Sequence, residues 1–244
     1  MANIGIAIIN ASTAIGDDAV GTAVPALQTQ VSEHLAPIWG VDAELFFVPS
    51  GAPPPNGIWW LAIMDNSDQA GTLGYHDTTS DGLPLGKVFA ASDLAWGYNW
   101  TITASHELLE MLIDPDINLM AFAQNPGNGG RFYAYEICDP CEADQFGYPI
   151  NGVVVSDFVF PSWFESFRAP GSCQFDATQQ IVQPFQLAAG GYISVYDPGT
   201  GAGWQQLNAA NMPQDYPARA PIGSRRERRR LGRGQWMRSA DRGR

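Results

Sequence analysis

The stretch TITASHELLEMLIDP, residues 101–115, sets one histidine and two glutamates inside an apolar run. On a helix, residues four apart advance only about 40° around the axis, so His106, Glu110 and Asp114 fall along one stripe. Glu107 stands about 100° round from His106, beside that stripe. Ile102, Leu108, Leu109 and Leu112 occupy the side that can face a core. An imidazole and a carboxylate at i and i+4 can share one metal ion, and the adjoining carboxylate can take a proton from bound water. This is the HExxH idea with Glu110 in place of the second histidine. Borderline cations such as Zn2+ accept both donor types, and a catalytic site keeps one position open for water. The plainer reading of the same residues is a solvated helix face.

A third ligand has to come from elsewhere. The acidic segment YEICDPCEADQ, about thirty residues on, offers Glu136 and Asp139. Alternation along an extended segment sends these two to opposite sides, so only one is expected to share an ion with His106. Asp114, at the end of the stripe, is expected to support the ligands. His76, on a short polar strand, could bind substrate or metal, although a lone strand histidine is more often a hydrogen-bonded residue. Tyr133 and Tyr135 could donate to an oxyanion, with packing as the plainer role, and Tyr135 is the expected substrate contact. His34 receives no role. A calcium site is the alternative for the oxygen-rich set Asp114, Glu136, Asp139 and Glu142.

The elements that must position these residues follow from periodicity. IGIAIIN reads as a buried strand, and Val20, Val24, Leu27, Val31 and Ile38 recur at helical spacing, with Pro25 in the first turn or at a kink. AELFFVP and IWWLAIMD are further strands, separated by the Pro/Gly-rich loop PSGAPPPNG. GTLGYHDT reads as an edge strand and GKVFAAS as another. The helix with the histidine is expected over Tyr98 to Ile113, ended by Asp114-Pro115. Beyond QNPGNGG, the segments RFYAYEICD, GVVVSDFVF and GGYISVYD read as strands without a convincing helix. The expected class is α+β: a mixed twisted sheet with an active-site helix over residues 1–116, a β-rich half over 117–210, and a Pro/Arg-rich tail over 211–244.

Charge divides the chain. Its 244 residues carry a formal net charge of −12. Residues 1–223 hold 23 acids against Lys87, Arg131, Arg168 and Arg219, whereas residues 224–244 hold nine arginines against Glu227 and Asp241. The acidic body repels nucleic acid and anionic membrane and suits cations. The basic tail reads as a disordered arm for self-assembly or for an anionic partner, or as a solvated end. No apolar run approaches the ~20 residues of a membrane span. The start, MANIGIAIIN, shows no secretory signal peptide. Cys138, Cys141 and Cys173 are too few for a disulfide framework. The CDPC pair has redox or zinc spacing, but no second CxxC accompanies it, and a structural role is expected.

SHELLEMLIDP followed by YEICDPCE resembles a zincin-like HExxE metallopeptidase family of phages and bacteria, marked by HExLE…DP and then E-x-C-D-P-x-E. It is more distantly similar to the phosphate-induced, exordium-like proteins of plants, with SHELAE…NP and EI-x-DLCE. The likeness covers roughly residues 60–195, including SDFVFPSWF and PFQLAAGGY. It implies a zincin-type fold in which the LGYHD edge strand lines a substrate cleft. It implies His106 and Glu110 as zinc ligands, Glu107 as general base, and Glu136 or Asp139 as the remaining ligand. The implied activity is hydrolysis of a peptide or protein substrate; the alternative is a non-catalytic virion or assembly component using the fold as a scaffold. The exordium-like pattern further implies a Cys141–Cys173 disulfide with Cys138 left over, and with it a virion or extracellular setting.

One prediction rests on the sequence alone. Deleting residues 224–244 should leave the melting temperature and metal content unchanged while weakening any self-association at low salt. Unfolding of the truncated chain, measured by circular dichroism, would contradict the division into body and arm.

Overall fold

In the computed structural model, the described residues are 4–69, 71–124 and 129–209. The Pro/Arg-rich tail and its basic arm lie outside them. The β-branched run at the start forms β1 (Ile4–Asn10), whose alternation serves two cores at once. Ile6 and Ile8 point to the larger core, and Ala7 and Ile9 to a smaller one on the opposite face of the sheet. β2 (Ala43–Val48), β3 (Trp59–Met64), β4 (Gly74–Thr78) and β5 (Pro84–Phe89) complete a five-stranded sheet in the order β2-β1-β3-β5-β4. β1, β2, β3 and β5 run parallel, and β4 is the antiparallel edge strand beside β5. The mixed sheet and the edge position of the LGYHD segment match expectation.

Helices cover the face that carries Ile6, Ile8, Leu61, Ile63 and Val88. The first is α1 (Asp17–Thr29), with Asp17 and Asp18 in its first turn, where the helix dipole favours anions. A π-helical segment, Gln30–Leu35, carries it on into α2 (Ala36–Trp39). Pro25 lies inside α1, so of its two expected places the first turn is ruled out. The helix starts earlier because the acidic pair extends it toward the N-terminus. α3 (Ala90–Trp96) is short, and α4 (Trp100–Ile113) carries the histidine and glutamates. α4 starts two residues later than expected.

The second half is β-rich, as expected, with only short 3-10 turns as helical content among the described residues. β6 (Met120–Gln124), β7 (Gly130–Ala134), β10 (Tyr192–Tyr196) and β11 (Trp204–Asn208) form an antiparallel sheet in the order β11-β10-β7-β6. β8 (Tyr148–Ile150) and β9 (Val153–Val155) form a hairpin. GVVVSDFVF was expected as one strand, but β9 ends at Val155. The reason is local: Asp157 takes the backbone N–H groups of Phe158 and Thr178 on its own carboxylate, which replaces a strand ladder there. The larger core runs unbroken from the first sheet to Trp163, Phe175 and Val195 of this half.

The expected Cys141–Cys173 bridge is not formed. All three cysteines are free, with Cys141 buried in the core and Cys173 exposed, so the two thiols occupy opposite environments.

The CDPC turn is clamped from below by the loop that leads into β10. Ala188 donates its N–H to the Pro140 carbonyl at 2.9 Å. A Cβ added to Gly191 would lie 2.1 Å from that same carbonyl oxygen. Backbone meets backbone here, so neither side can yield. Gly191→Ala should therefore destabilise the fold by at least about 1–3 kcal/mol, as overpacking does. A melting temperature equal to that of the parent protein would show that the turn is not held this way.

Candidate metal centre

In α4 every residue except Thr103 is buried. The plainer reading, a solvated helix face, is therefore wrong: the polar stripe is covered by β4 on one side and by the segment 136–141 on the other. A buried network sets the rotation of α4. Ser105 Oγ donates to Gln30 Oε1 at 2.6 Å and accepts from the Ser156 N–H at 3.0 Å. Gln30 Nε2 in turn donates to the Ser156 carbonyl at 2.8 Å. The π-helical segment thereby locks α4 to the chain that follows β9.

Glu110 lies at the centre of the site, 2% exposed. Its Oε1 accepts the backbone N–H groups of Cys138 (3.0 Å) and Asp139 (3.2 Å), where the CDPC turn begins. Its Oε2 stands 3.3 Å from His106 Nε2 and 3.8 Å from His76 Nδ1. His106 Nε2 is also 3.4 Å from Asp139 Oδ1. His76 Nδ1 is 3.3 Å from Glu107 Oε2, and His76 Nε2 is 3.6 Å from Glu136 Oε2. Glu107 fits against the edge strand because Gly74 has no side chain: a Cβ there would lie 2.8 Å from Glu107 Oε1.

Two sets of donors are close enough to share an ion: His106, Glu110 and Cys138, and His76, Glu110 and Glu136. The spacings fit a cation. Ligands about 2.0–2.2 Å from a tetrahedral ion stand about 3.3–3.6 Å apart, longer than a good hydrogen bond. His106 Nε2 keeps 3.3 and 3.4 Å from its two carboxylates. His76 Nε2 is buried and makes no hydrogen bond. The residues present therefore fit a divalent cation on both geometry and donor chemistry.

Without a cation, protons balance the charge. Burial disfavours the imidazolium of His106, but Glu110 and Asp139 outweigh it and hold its pKa well above the ordinary value. His76 behaves alike: burial lowers it, while Glu136, Glu107 and Glu110 raise it to about 9. Burial opposes ionisation of Glu110, yet His106, His76 and the Cys138 N–H pull its pKa below the carboxylate range. The Cys138 thiol is pushed up by burial and by Glu110, partly offset by His106.

The structure brings together His76, His106, Glu107, Glu110, Glu136 and Asp139. Asp139 faces His106 and Glu136 faces His76, but not by the expected strand alternation: β7 ends at Ala134 and Asp139 opens a 3-10 turn. Cys138, which the sequence left without a role, joins the donors of His106. Its only signal was adjacency to Asp139. Asp114 accepts the N–H groups of Asn118 and Leu119 at 3.0 Å each and so closes the turn after α4. Tyr135 packs its ring on Phe164 (4.3 Å) and Trp39 (5.5 Å). Tyr133 packs on Phe185 (4.3 Å). Neither donor set includes Asp114 or Glu142, so the oxygen-only calcium grouping is not assembled among the described residues.

A pH dependence follows for the metal-stripped protein. A histidine whose folded pKa is raised contributes stability that is complete below its unfolded pKa and is lost as pH rises through the folded one. For His76 that window runs from 6.5 to about 9. Asp93 and Asp157, both raised from 3.8 to about 7, the first by burial and the second by burial and Asp176, lose their contribution as pH rises between those two values and add no slope above them. Above about pH 7.5 the slope therefore belongs to the histidines. The melting temperature of stripped protein should fall from there to about pH 9, and saturating Zn2+ should abolish the fall because the ion replaces the protons. A flat profile without metal would contradict this electrostatic balance.

No family model, no curated protein and no solved structure matches this chain.

Proposed function

We propose that the chain is a zinc-dependent, zincin-like hydrolase of peptide bonds, with His106, Glu110 and Asp139 holding the ion and Glu107 as general base. One observation carries the reading: the two glutamates of HELLE are treated differently. Glu110 is fixed by two backbone N–H groups, as a ligand must be. Glu107 is held by a side chain alone, His76 Nδ1 at 3.3 Å, and lies against the edge strand at Gly74. A base has to change protonation state during turnover, and a single side-chain contact permits that.

A cation bound there would supply Lewis acidity and lower the pKa of a water it meets. Glu107 is the group that would take a proton from a water held there. His76 orients the Glu107 carboxylate through Nδ1. The edge strand β4 borders the site, and an extended peptide can add to such an edge by backbone pairing. Asp139 is preferred over Glu136 as third ligand because it, not Glu136, stands 3.4 Å from His106. An anionic Glu110 in place of a neutral imidazole lowers the Lewis acidity, so turnover slower than that of an HExxH site is expected.

Burial favours a second reading, a cation-bound scaffold without catalysis. The most open of the six residues, His76 and Glu136, are only 8% exposed. In that case the ion would serve to join the helix to the β-rich half, in an assembly component.

Two variants separate these readings. His106→Ala should lose one equivalent of zinc by elemental analysis. Glu107→Gln should keep zinc and lose about 10²–10⁴-fold in turnover of a quenched peptide library, the usual worth of a general base. An unchanged rate removes Glu107 from the mechanism. Zinc retained with no turnover in either the parent or the variant selects the scaffold.

A further inference from the structure

We infer that this cluster holds two divalent cations, with Glu110 shared between them. The inference rests on the metal-binding reading above and extends it from one ion to a pair. Its basis is the way the donors divide. His106 and Cys138 form one set of donors with Glu110, and Asp139 stands beside His106. His76 and Glu136 form a second set with the same Glu110. One tetrahedral ion at His106 leaves His76 Nε2 and Glu136 outside its shell.

His76 points to the same conclusion from its own chemistry. Its Nδ1 faces Glu107 at 3.3 Å, which fixes the tautomer with the proton on Nδ1. The lone pair of Nε2 then aims toward Glu136, from a ring that is 95% buried. No hydrogen bond uses that nitrogen. A carboxylate behind a histidine whose second nitrogen is open is the arrangement that prepares imidazole for a metal.

Charge gives an independent reason. Glu107, Glu110, Glu136 and Asp139 are all buried, and the nearby histidines are neutral when they bind metal. One divalent ion at His106 leaves a negative excess that a proton on His76 only half offsets. Two divalent ions bring the four carboxylates to a formal sum of zero, and a Cys138 thiolate in the shell adds one negative charge. Not every buried acid in the protein makes such a demand. Asp157 and Asp176 are equally buried, but their oxygens accept N–H groups of Phe158, Thr178, Gln180 and Ile181 and hold a loop.

The two positions differ in kind. The His106 side offers nitrogen, oxygen and a thiol, a set that suits Zn2+. The His76 side offers one nitrogen and two carboxylates, a set that also accepts Mn2+ or Fe2+. Paired ions in such sites lie about 3.5–4 Å apart and clamp both the attacking and the leaving oxygen of a hydrolytic displacement.

The test is stoichiometry in the full chain, with Cys173→Ser as the background to remove the exposed thiol. After stripping and dialysis against Zn2+, elemental analysis should give two equivalents per chain. His76→Ala and His106→Ala should each retain one. Mn2+ loading of the unmutated site supplies a readout that does not depend on how the variants fold: two equivalents should give an exchange-coupled electron paramagnetic resonance spectrum. One equivalent with an isolated-ion spectrum overturns the pair and leaves the single-ion reading intact. No bound metal overturns both.

Discussion

Four carboxylates and two imidazoles are buried together around Glu110, and the rest of the molecule is arranged to tolerate that. Moving a carboxylate out of water costs several kcal/mol even after relaxation, unless charge and hydrogen bonds compensate. The backbone supplies part of the compensation, through the Cys138 and Asp139 N–H groups on Glu110 Oε1. Those donors are in place because the CDPC turn is fixed from below by Ala188 and Gly191 of the β-rich half. The helix that carries Glu110 is in turn fixed by Gln30 and Ser156 through Ser105. Neither half can therefore build the site alone. The remaining charge calls for cations, whether protons on the histidines or metal ions.

That balance links stability to chemistry. A site that must be neutralised to fold well binds a divalent ion with free energy that also counts toward folding. The donor spacings near 3.3–3.4 Å around His106 are those of ligands about an ion, which places little strain on binding it. Within this cluster Glu107 differs from Glu110, whose Oε1 takes two backbone amides, and Gly74 leaves it room against the edge strand. A purely structural site has no need of such a carboxylate, and it is the reason that catalysis is preferred to scaffolding.

Much of this was legible in the sequence for identifiable reasons. The i, i+4 pairing of His106 and Glu110 is a property of any helix, and Asp114-Pro115 ends that helix where expected. Glu136 and Asp139 do face different histidines, but through the turn at Asp139–Cys141 and not through strand alternation. The weight of His76 was not legible, because a strand histidine has two faces to choose from and only the packing of α4 on β4 decides between them. Burial of the polar stripe was hidden for a similar reason, since its cover comes from residues 30 positions downstream. Cys138 was missed because donor sets form in space around the CDPC turn. The disulfide inferred from resemblance failed because Cys141 sits in the core while Cys173 lies on the surface.

The central claim, a cation at Glu110, is tested most directly by X-ray diffraction from crystals grown with Zn2+, with data collected on both sides of the zinc absorption edge. The account predicts an anomalous peak about 2.0–2.2 Å from His106 Nε2 and from Glu110 Oε2, with Asp139 in its shell. A map without a peak there, with His106 hydrogen-bonded directly to Glu110 and Asp139 at ordinary distances, would contradict it.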